Sequence, residues 1–200
     1  MKPKNEHVRL NDMNDEILVE KVKNGDKYSF NMLVWKWEKQ IYNLAVRMLG
    51  SAEDASDACQ DIFITAFEKV HSFKGNSKFS TWLYRIAINN CISKLRRRKT
   101  EKKFHDTSVS TDDILAGYGV QPENETALIK KQTTERVLKA IRNLPEEQKT
   151  IVELKLYQDL SFEEISQIIG IPIGTAKSRL HYALKRVKND LKDLTSLPPM

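Results

Sequence analysis

The chain has 200 residues, 40% hydrophobic and 30% charged, a composition typical of a folded protein with one medium domain or two small ones. No apolar run approaches the ~20 residues that span a bilayer, and the N-terminus lacks the apolar segment of a secretory signal, so we expect a cytoplasmic protein. The net charge of +6 is concentrated in blocks rather than spread evenly, which favours a polyanion as partner.

Four helices are predicted in residues 14–99. A short helix ends at Asn24 and Gly25, and a long apolar stripe with helical spacing runs from residue 30 to 48. Ser51 and Asp54 then have the spacing of a capping box for a third helix. Because Cys59 and Cys91 lie in apolar stripes without neighbouring metal ligands, we expect buried thiols, not a zinc site.

The helix predicted over residues 81–98 has two faces. Its polar face carries one aromatic, polar and basic row, opposite an apolar stripe: Trp82, Arg85, Asn89, Ser93 and Arg96. Residues 92–103 add seven Lys/Arg against one Glu. Such a row suits partly unstacked bases and phosphates. The alternative is that the aromatic residues pack under the preceding loop and the arginines are solvated.

An acidic outer face precedes that helix. Asp54, Asp57, Gln60 and Asp61 lie away from the apolar stripe of the third helix. This face is unsuited to DNA, and it is either ordinary solvent surface or a docking site for a positively charged protein.

Residues 100–126 are predicted to form a flexible linker. They include Gly117, Gly119 and Pro122 and keep no clear period. Residues 104–128 hold five Asp/Glu and no Lys or Arg, so the linker is acidic. Helical patterns follow near residues 127–143, 146–157, 161–169 and 173–192. The sequence therefore predicts an all-α fold.

The last two of these segments have the order of a helix-turn-helix. Ser161 and Glu164 are spaced as a capping box, Gly170 ends the first helix, and Pro172 marks the start of the second. A stripe of the second helix is predicted to face the core: Ala176, Leu180, Ala183, Leu184, Val187 and Leu191. The opposite side carries Thr175, Ser178, Tyr182, Lys185 and Arg186, with Arg179 and His181 at its margins. A solvated basic helix is the alternative. The turn, the caps and the lack of acidic residues on the exposed arc of the second helix favour DNA reading instead.

Three stretches carry a resemblance to a known family. They are "LVWKWEKQIYNLAVRMLG", "DASDACQDIFITAFEKVHSFKGNSKFSTWLYRIAINNCISKLRRRK" and "LPEEQKTIVELKLYQDLSFEEISQIIGIPIGTAKSRLHYALKRVK". Together they resemble the two-domain extracytoplasmic-function (ECF) sigma factors of bacterial RNA polymerase, in the family's order, over roughly residues 14–192.

The resemblance implies two small helical domains, an N-terminal bundle and a C-terminal helix-turn-helix four-helix domain, joined by the linker. It implies a loose tail over 1–13, a region 2-like domain over 14–99, a region 4-like domain over 127–193 and a loose tail over 194–200. The region 2-like domain would bind core polymerase, recognise the minus 10 element and help open it; the region 4-like domain would read the minus 35 element.

The resemblance also implies site residues. For minus 35 DNA they are Thr175, Lys177, Ser178, Arg179, Tyr182, Lys185 and Arg186. For minus 10 DNA and melting they are Asn76, Phe79, Trp82, Arg85, Asn89, Ser93, Arg96 and Arg97. For core polymerase they are Asp57, Gln60 and Asp61. The implied partners are promoter DNA and two parts of core polymerase, namely the clamp helices of the largest subunit and the flap of the second-largest subunit. An anti-sigma factor, either membrane-bound or soluble, is a further implied partner, and the chain itself is not expected to insert into a membrane.

The expected function is thus an alternative sigma factor of a stress or envelope response, without cofactor, metal or enzymatic activity. No nucleophile–base pair, phosphate-binding glycine loop or metal cluster is evident in the sequence. Two alternatives remain at this point. One is a free-standing helix-turn-helix regulator, and the other is an interaction protein that sequesters polymerase.

Overall fold

The computed structural model describes residues 13–104 and 125–195, with the side chains of 102–104, 125–133 and 193–195 left undescribed. These residues form two compact helical units, and no strand occurs within the described ranges. The predicted all-α fold of two small helical domains is confirmed. Most of the predicted linker and of the two predicted tails lies outside the described residues, and the last helix ends at Thr195, two residues inside the predicted C-terminal tail.

Four α-helices lie in residues 13–104, the described part of the N-terminal unit. They are α1 (Asp15–Lys23), α2 (Lys27–Leu49), α3 (Ala52–Lys69) and α4 (Phe79–Phe104), with a 3₁₀ turn at Val70–Ser72 after α3. Side chains cap the first three: Asn14 accepts from two backbone amides of α1, Asp26 from two of α2, and Ser51 from the amide of Asp54. Gly50 ends α2 with a φ of +77°, in the left-handed region that favours glycine.

The core of this unit lies where α2, α3 and α4 pack against one another. The stripes predicted from helical spacing supply it, because one apolar face of each helix is removed from water. Both cysteines are buried free thiols, as expected. The largest fully buried side chains of the N-terminal unit are Leu33, Ile41, Leu44, Met48, Ile62, Phe79, Leu83 and Ile88.

Helix α4 is longer than the sequence predicted at both ends. It begins at Phe79 rather than residue 81, and it continues to Phe104 rather than ending at residue 98. Residues 100–104, expected in the linker, contain no Gly or Pro, and three of them, Glu101, Lys102 and Lys103, are good helix formers. The Thr100 hydroxyl also donates to the Arg96 carbonyl at 3.1 Å. The next helix likewise starts at Glu125, just inside the predicted linker.

Four α-helices also lie in residues 125–195, which is what the structure describes of the C-terminal unit. They are α5 (Glu125–Arg142), α6 (Glu146–Val152), α7 (Phe162–Ile169) and α8 (Ile173–Thr195). The Ser161 and Glu164 capping box is present in full, and Gly170 ends α7 with a φ of +69°. The predicted helix-turn-helix is therefore formed by α7 and α8, with the turn at residues 170–172. The buried core contains Leu144, Ile151, Val152, Leu154, Ile165, Ile168, Ala176 and Ala183.

The segment predicted as one helix over 146–157 changes its geometry halfway. Glu153–Tyr157 form a π turn, in which the Gln158 amide donates to the Glu153 carbonyl at 3.2 Å. A π turn holds one more residue than an α turn, and hydrophobic spacing gives no signal for it. Polar groups inside the turn are satisfied, because Gln158 Nε2 donates to the buried Glu153 carboxylate at 2.8 Å.

Asp159, which follows the π turn, is the single non-glycine residue with positive φ, +49°, in the part of the chain that the structure describes. A side chain in the left-handed region is strained, whereas glycine adopts it freely. We expect Asp159→Gly to stabilise the C-terminal unit by about 0.5–1 kcal/mol. The measurement is hydrogen exchange of the amides in α6, α7 and α8, which should slow.

Asp159→Ala is the matched control, since it removes the carboxylate but keeps a Cβ at the strained position, and it should not slow exchange. All three tryptophans, Trp35, Trp37 and Trp82, lie in the N-terminal unit, so the fluorescence melting curve should be the same in both variants. Unchanged or faster exchange in Asp159→Gly would show that the backbone at this position is not strained.

Candidate nucleic-acid interface

The α8 surface consists of the residues predicted to face a DNA groove: Thr175, Lys177, Ser178, Arg179, Tyr182, Lys185 and Arg186. It is opposite the buried Ala176 and Ala183 of the same helix, so α8 has one core face and one solvent face. Tyr182 is 59% exposed, which makes its ring available to a partner. Lys177, Ser178, Lys185 and Arg186 are also exposed, while Thr175 and Arg179 are half-buried.

One member of the predicted core stripe of α8 is misplaced. Leu184 is 46% exposed, whereas its neighbour Ala183 is fully buried. Successive helical residues are 100° apart, and the neighbouring helices cover only the narrower sector around Ala176 and Ala183. The prediction that Leu184 faces the core is therefore wrong.

Three local contacts hold parts of the α8 surface in place. Ser178 Oγ donates to the Thr175 carbonyl at 3.0 Å. Lys177 Nζ lies 5.7 Å from the centre of the Phe162 ring, a cation–π contact across the helix-turn-helix. Arg179 Nη2 lies 2.6 Å from Glu147 Oε2, a carboxylate of α6. Lys185 and Arg186 remain as exposed cations that can meet phosphates.

The α4 surface is the exposed row on the first unit: Trp82, Arg85, Asn89, Ser93, Arg96 and Arg97. Trp82 is half-buried and the other five are exposed, whereas Leu83, Ala87 and Cys91 on the opposite side are fully buried. The two predicted faces of this helix are thus present. Asn76 is exposed in the loop before α4, next to Gly75, whose φ of +73° turns the chain.

Phe79 does not belong to this surface. The Phe79 side chain is only 1% exposed and packs in the core, which contradicts the predicted contact between Phe79 and DNA. Its ring centre lies 5.7 Å from that of Trp82, and the Phe73 ring centre lies 5.4 Å from Trp82 on the same cluster. Phe73 and Phe79 therefore support the Trp82 indole at the surface, where a nucleic-acid base can stack on it.

The basic block at the end of α4 is divided between structure and surface. Lys94 Nζ pairs with Asp61 of α3 at 2.9 Å. Arg98 pairs with Asp54 and also donates to the Leu49 carbonyl at 3.2 Å, near the end of α2. Arg96, Arg97 and Lys99 are exposed, so these members of the block can meet phosphates.

The α3 surface is the acidic face formed by Asp57, Gln60 and Asp61, all exposed. Gln60 also borders an apolar groove between α2 and α3, where Ile64 is 50% and Phe67 41% exposed. Burial raises the pKa of the Cys59 thiol in this groove to about 11, with the Glu38 carboxylate adding to the effect. The thiol is therefore neutral and unreactive near pH 7, and the surface offers charge and apolar area, not chemistry.

Neither a metal site nor a membrane helix is found in the ranges 13–104 and 125–195. No group of three or more His, Cys, Asp or Glu side chains there could hold a metal ion. No helix within these ranges is both long enough and apolar enough to cross a membrane.

Two residues that contact the α8 surface, Glu147 and Phe162, were not predicted from the sequence. Glu147 lies 32 residues before Arg179 in the chain, and no spacing rule joins residues on separate helices. Phe162, the first residue of α7, reads as an ordinary apolar residue of a helix start. The absence of acidic residues on the exposed arc of α8 from Thr175 to Arg186, which favoured DNA reading, gave no sign that another helix places a carboxylate there.

Comparison with known proteins indicates one family for this chain. Two family models match: Sigma-70 region 2 over residues 33–101, and Sigma-70, region 4 over residues 134–187. The chain is 36% identical to the ECF RNA polymerase sigma factor SigW of Bacillus subtilis, over 88% of this chain and 96% of that protein. It is 32% identical to the ECF RNA polymerase sigma-E factor of Escherichia coli, over 91% and 96%.

A solved structure gives the same result. The chain is similar to the sigma factor RpoE of Bartonella quintana, solved in complex with the anti-sigma factor NepR, with a TM-score of 0.66 and 25% identity. The match covers 82% of this chain and 96% of that one.

The two contacts of Arg98 predict a loss of stability on its removal. We expect Arg98→Ala to lower the free energy of unfolding of the N-terminal unit by about 1–2 kcal/mol, since it removes a hydrogen bond and an ion pair together. The neighbouring exposed Arg97→Ala is the control and should change it by less than about 0.5 kcal/mol. Tryptophan fluorescence during urea unfolding measures both, and equal effects of the two variants would contradict the structural assignment of Arg98.

Proposed function

The chain belongs to the ECF sigma factors of the sigma-70 family, and on that premise we propose that its two units divide promoter recognition between them. As a family member it is an alternative sigma factor that binds core RNA polymerase and directs promoter-specific initiation of transcription. The observation that carries the proposed division is that exposed cationic side chains lie on two helices, α4 and α8, of separate units.

The region 4-like unit, residues 127–193, is proposed to read the minus 35 element through the α8 surface. An α-helix fits the major groove, where Arg and Lys bond guanine edges and Ser and Thr adapt to either donors or acceptors. In support, α8 follows a capped helix and a tight turn, and its groove side is polar and largely exposed. Lys185 and Arg186 are then available for bases or phosphates.

The region 2-like unit, residues 14–99, is proposed to bind and open the minus 10 element with Asn76 and the α4 surface. Melting requires that unstacked bases be held, and an aromatic face does this without demanding one sequence. The support is the half-exposed Trp82 supported by Phe73 and Phe79, in line with the amide of Asn89. Arg96 and Arg97 would hold the phosphates further along the helix.

Core polymerase is proposed to contact both units. The α3 surface is the candidate for the clamp helices of the largest subunit, because its carboxylates complement a basic partner and lie beside exposed apolar side chains. For the flap of the second-largest subunit, the candidates are Leu156, 53% exposed, and Tyr157, 38% exposed, on the C-terminal unit.

Regulation by an anti-sigma factor is proposed by analogy with the Bartonella quintana sigma factor, which was solved in complex with one. An inhibitor that covers a polymerase-binding surface would keep the chain inactive until a signal, such as an envelope stress, releases it. We further propose that the protein acts in the cytoplasm and is not itself an enzyme. Sigma factors are DNA-binding initiation factors, and nucleotide addition belongs to the polymerase.

Reconstitution tests the proposed function directly. Core RNA polymerase with the full chain should give run-off transcripts from specific start sites on genomic DNA fragments, and core polymerase alone should not. Tight sequence-specific binding of the chain to duplex DNA without polymerase would instead support a free-standing regulator. Binding to core without promoter opening would support a sequestering protein.

Substitutions on separate surfaces test the division of labour. Arg186→Ala should reduce initiation by about tenfold while leaving the affinity for core polymerase unchanged, because an exposed α8 cation contacts only DNA in this scheme. Asp61→Lys should reduce core binding, since it reverses the charge of the α3 surface and also repels Lys94. Core binding is measured by fluorescence titration and promoter use by run-off transcription.

Two controls make this comparison sharp. Asp61→Asn removes the ion pair with Lys94 without reversing charge, and the half-exposed pair contributes at most about 1 kcal/mol to folding, so the chain should stay folded. Arg136→Ala removes an exposed cation of α5 and should leave both activities intact. If Arg186→Ala and Asp61→Lys each reduced both activities equally, the two surfaces would not have separate roles.

A further inference from the structure

The ion pair between Arg179 and Glu147 joins the α8 surface to a helix outside the helix-turn-helix. Arg179 is half-buried, with 28% of its side chain exposed, while the Glu147 side chain is 68% exposed. The pair bridges α6 and α8, which pack together in the core of the unit. A carboxylate thus lies at the edge of a surface that otherwise presents cations, hydroxyl groups and a tyrosine.

We propose that Glu147 is a positioning residue for DNA reading. It holds the guanidinium of Arg179 in one orientation, so that this arginine selects its base pair instead of contacting any nearby phosphate. The inference rests on the proposed role of the α8 surface in reading the minus 35 element, and it adds a specificity determinant that touches the arginine rather than the base.

The physical basis is the difference between the two kinds of arginine contact. Hydrogen bonds to the two acceptors of guanine require the planar guanidinium in a defined position, whereas a phosphate accepts it from many directions. An arginine on a flexible stem samples many rotamers, and a carboxylate that engages one Nη group fixes the plane while other N–H donors stay available. Preorganisation of this kind favours the correct site, because less freedom is lost on binding.

The carboxylate also acts on sequence-independent binding. The Glu147 side chain is 68% exposed and repels DNA phosphates, and this repulsion lowers the affinity for every sequence equally. The repulsion therefore leaves the preference between correct and incorrect promoters unchanged, and that preference depends on the orientation of Arg179.

Selection from a DNA library in which the upstream promoter element is randomised tests this inference. The full chain is combined with core RNA polymerase, each DNA template carries a transcribed barcode that identifies its upstream element, and the barcodes in the transcripts are sequenced to compare the base preference at each position among variants. Arg179→Ala identifies the position that this arginine reads. Glu147→Ala should reduce the preference at that same position by about tenfold and leave the other positions unchanged.

Two further variants separate orientation from charge. Glu147→Gln keeps an oxygen that can accept from Arg179, so it should retain most of the preference while raising binding to all sequences. Glu163→Gln removes an exposed carboxylate of α7 with the same change in net charge, and it should leave the preference at every position unchanged. The double variant with Glu147→Ala and Arg179→Ala should resemble Arg179→Ala alone, because both act through one contact.

Each contrary outcome is distinct. If Glu147→Ala raises binding to all sequences without changing any preference, as a mere change of net charge would, the positioning role is overturned. If Glu147→Ala weakens preference at every position, the residue supports the whole unit and the inference is also overturned. If Arg179→Ala changes no preference, the proposed role of Arg179 in promoter reading fails first, whatever Glu147 does.

Discussion

Burial of a single face of α4 is the constraint on which the rest of the first unit depends. Leu83, Ala87 and Cys91 must face α2 and α3 for the bundle to have a core, and this fixes the rotation of the helix about its axis. Every polar residue on the opposite side is then oriented as a consequence. Trp82 and Asn89 lie on the surface because the residues on the opposite side of the helix are buried. The same helical period therefore determines both the core of the bundle and the composition of the α4 surface.

Carboxylates decide which of the many cations remain available. Asp61 and Asp54 engage Lys94 and Arg98 in the first unit, and Glu147 engages Arg179 in the second. A count of basic residues would treat all of them as equal contacts for phosphate. The structure instead uses some cations to join helices and leaves others exposed, so a basic sequence block contains two physical classes of residue.

Much of this architecture could be predicted because local rules determine it. The Ser161 capping box, the glycine ends of α2 and α7, and the apolar stripes all depend on residues within one helix or turn. What could not be predicted depends on neighbours distant in sequence. Phe79 is buried because Phe73 and Trp82 close over it, Leu184 is exposed because nothing covers it, and Glu147 reaches Arg179 from another helix. The residue roles at promoter and polymerase remain proposals drawn from family membership.

The continuity of α4 has a consequence for how such a protein can diverge. The helix has 26 residues, about 39 Å at 1.5 Å per residue, without Gly or Pro. Seven residues, close to two turns, separate Asn89 from Arg96, which places both on one side. Inserting one residue between them would rotate everything beyond it by about 100° and take Arg96 off that side. Exposed side chains on this helix can therefore change over generations without altering the bundle, whereas the length of the helix between these points is expected to stay fixed.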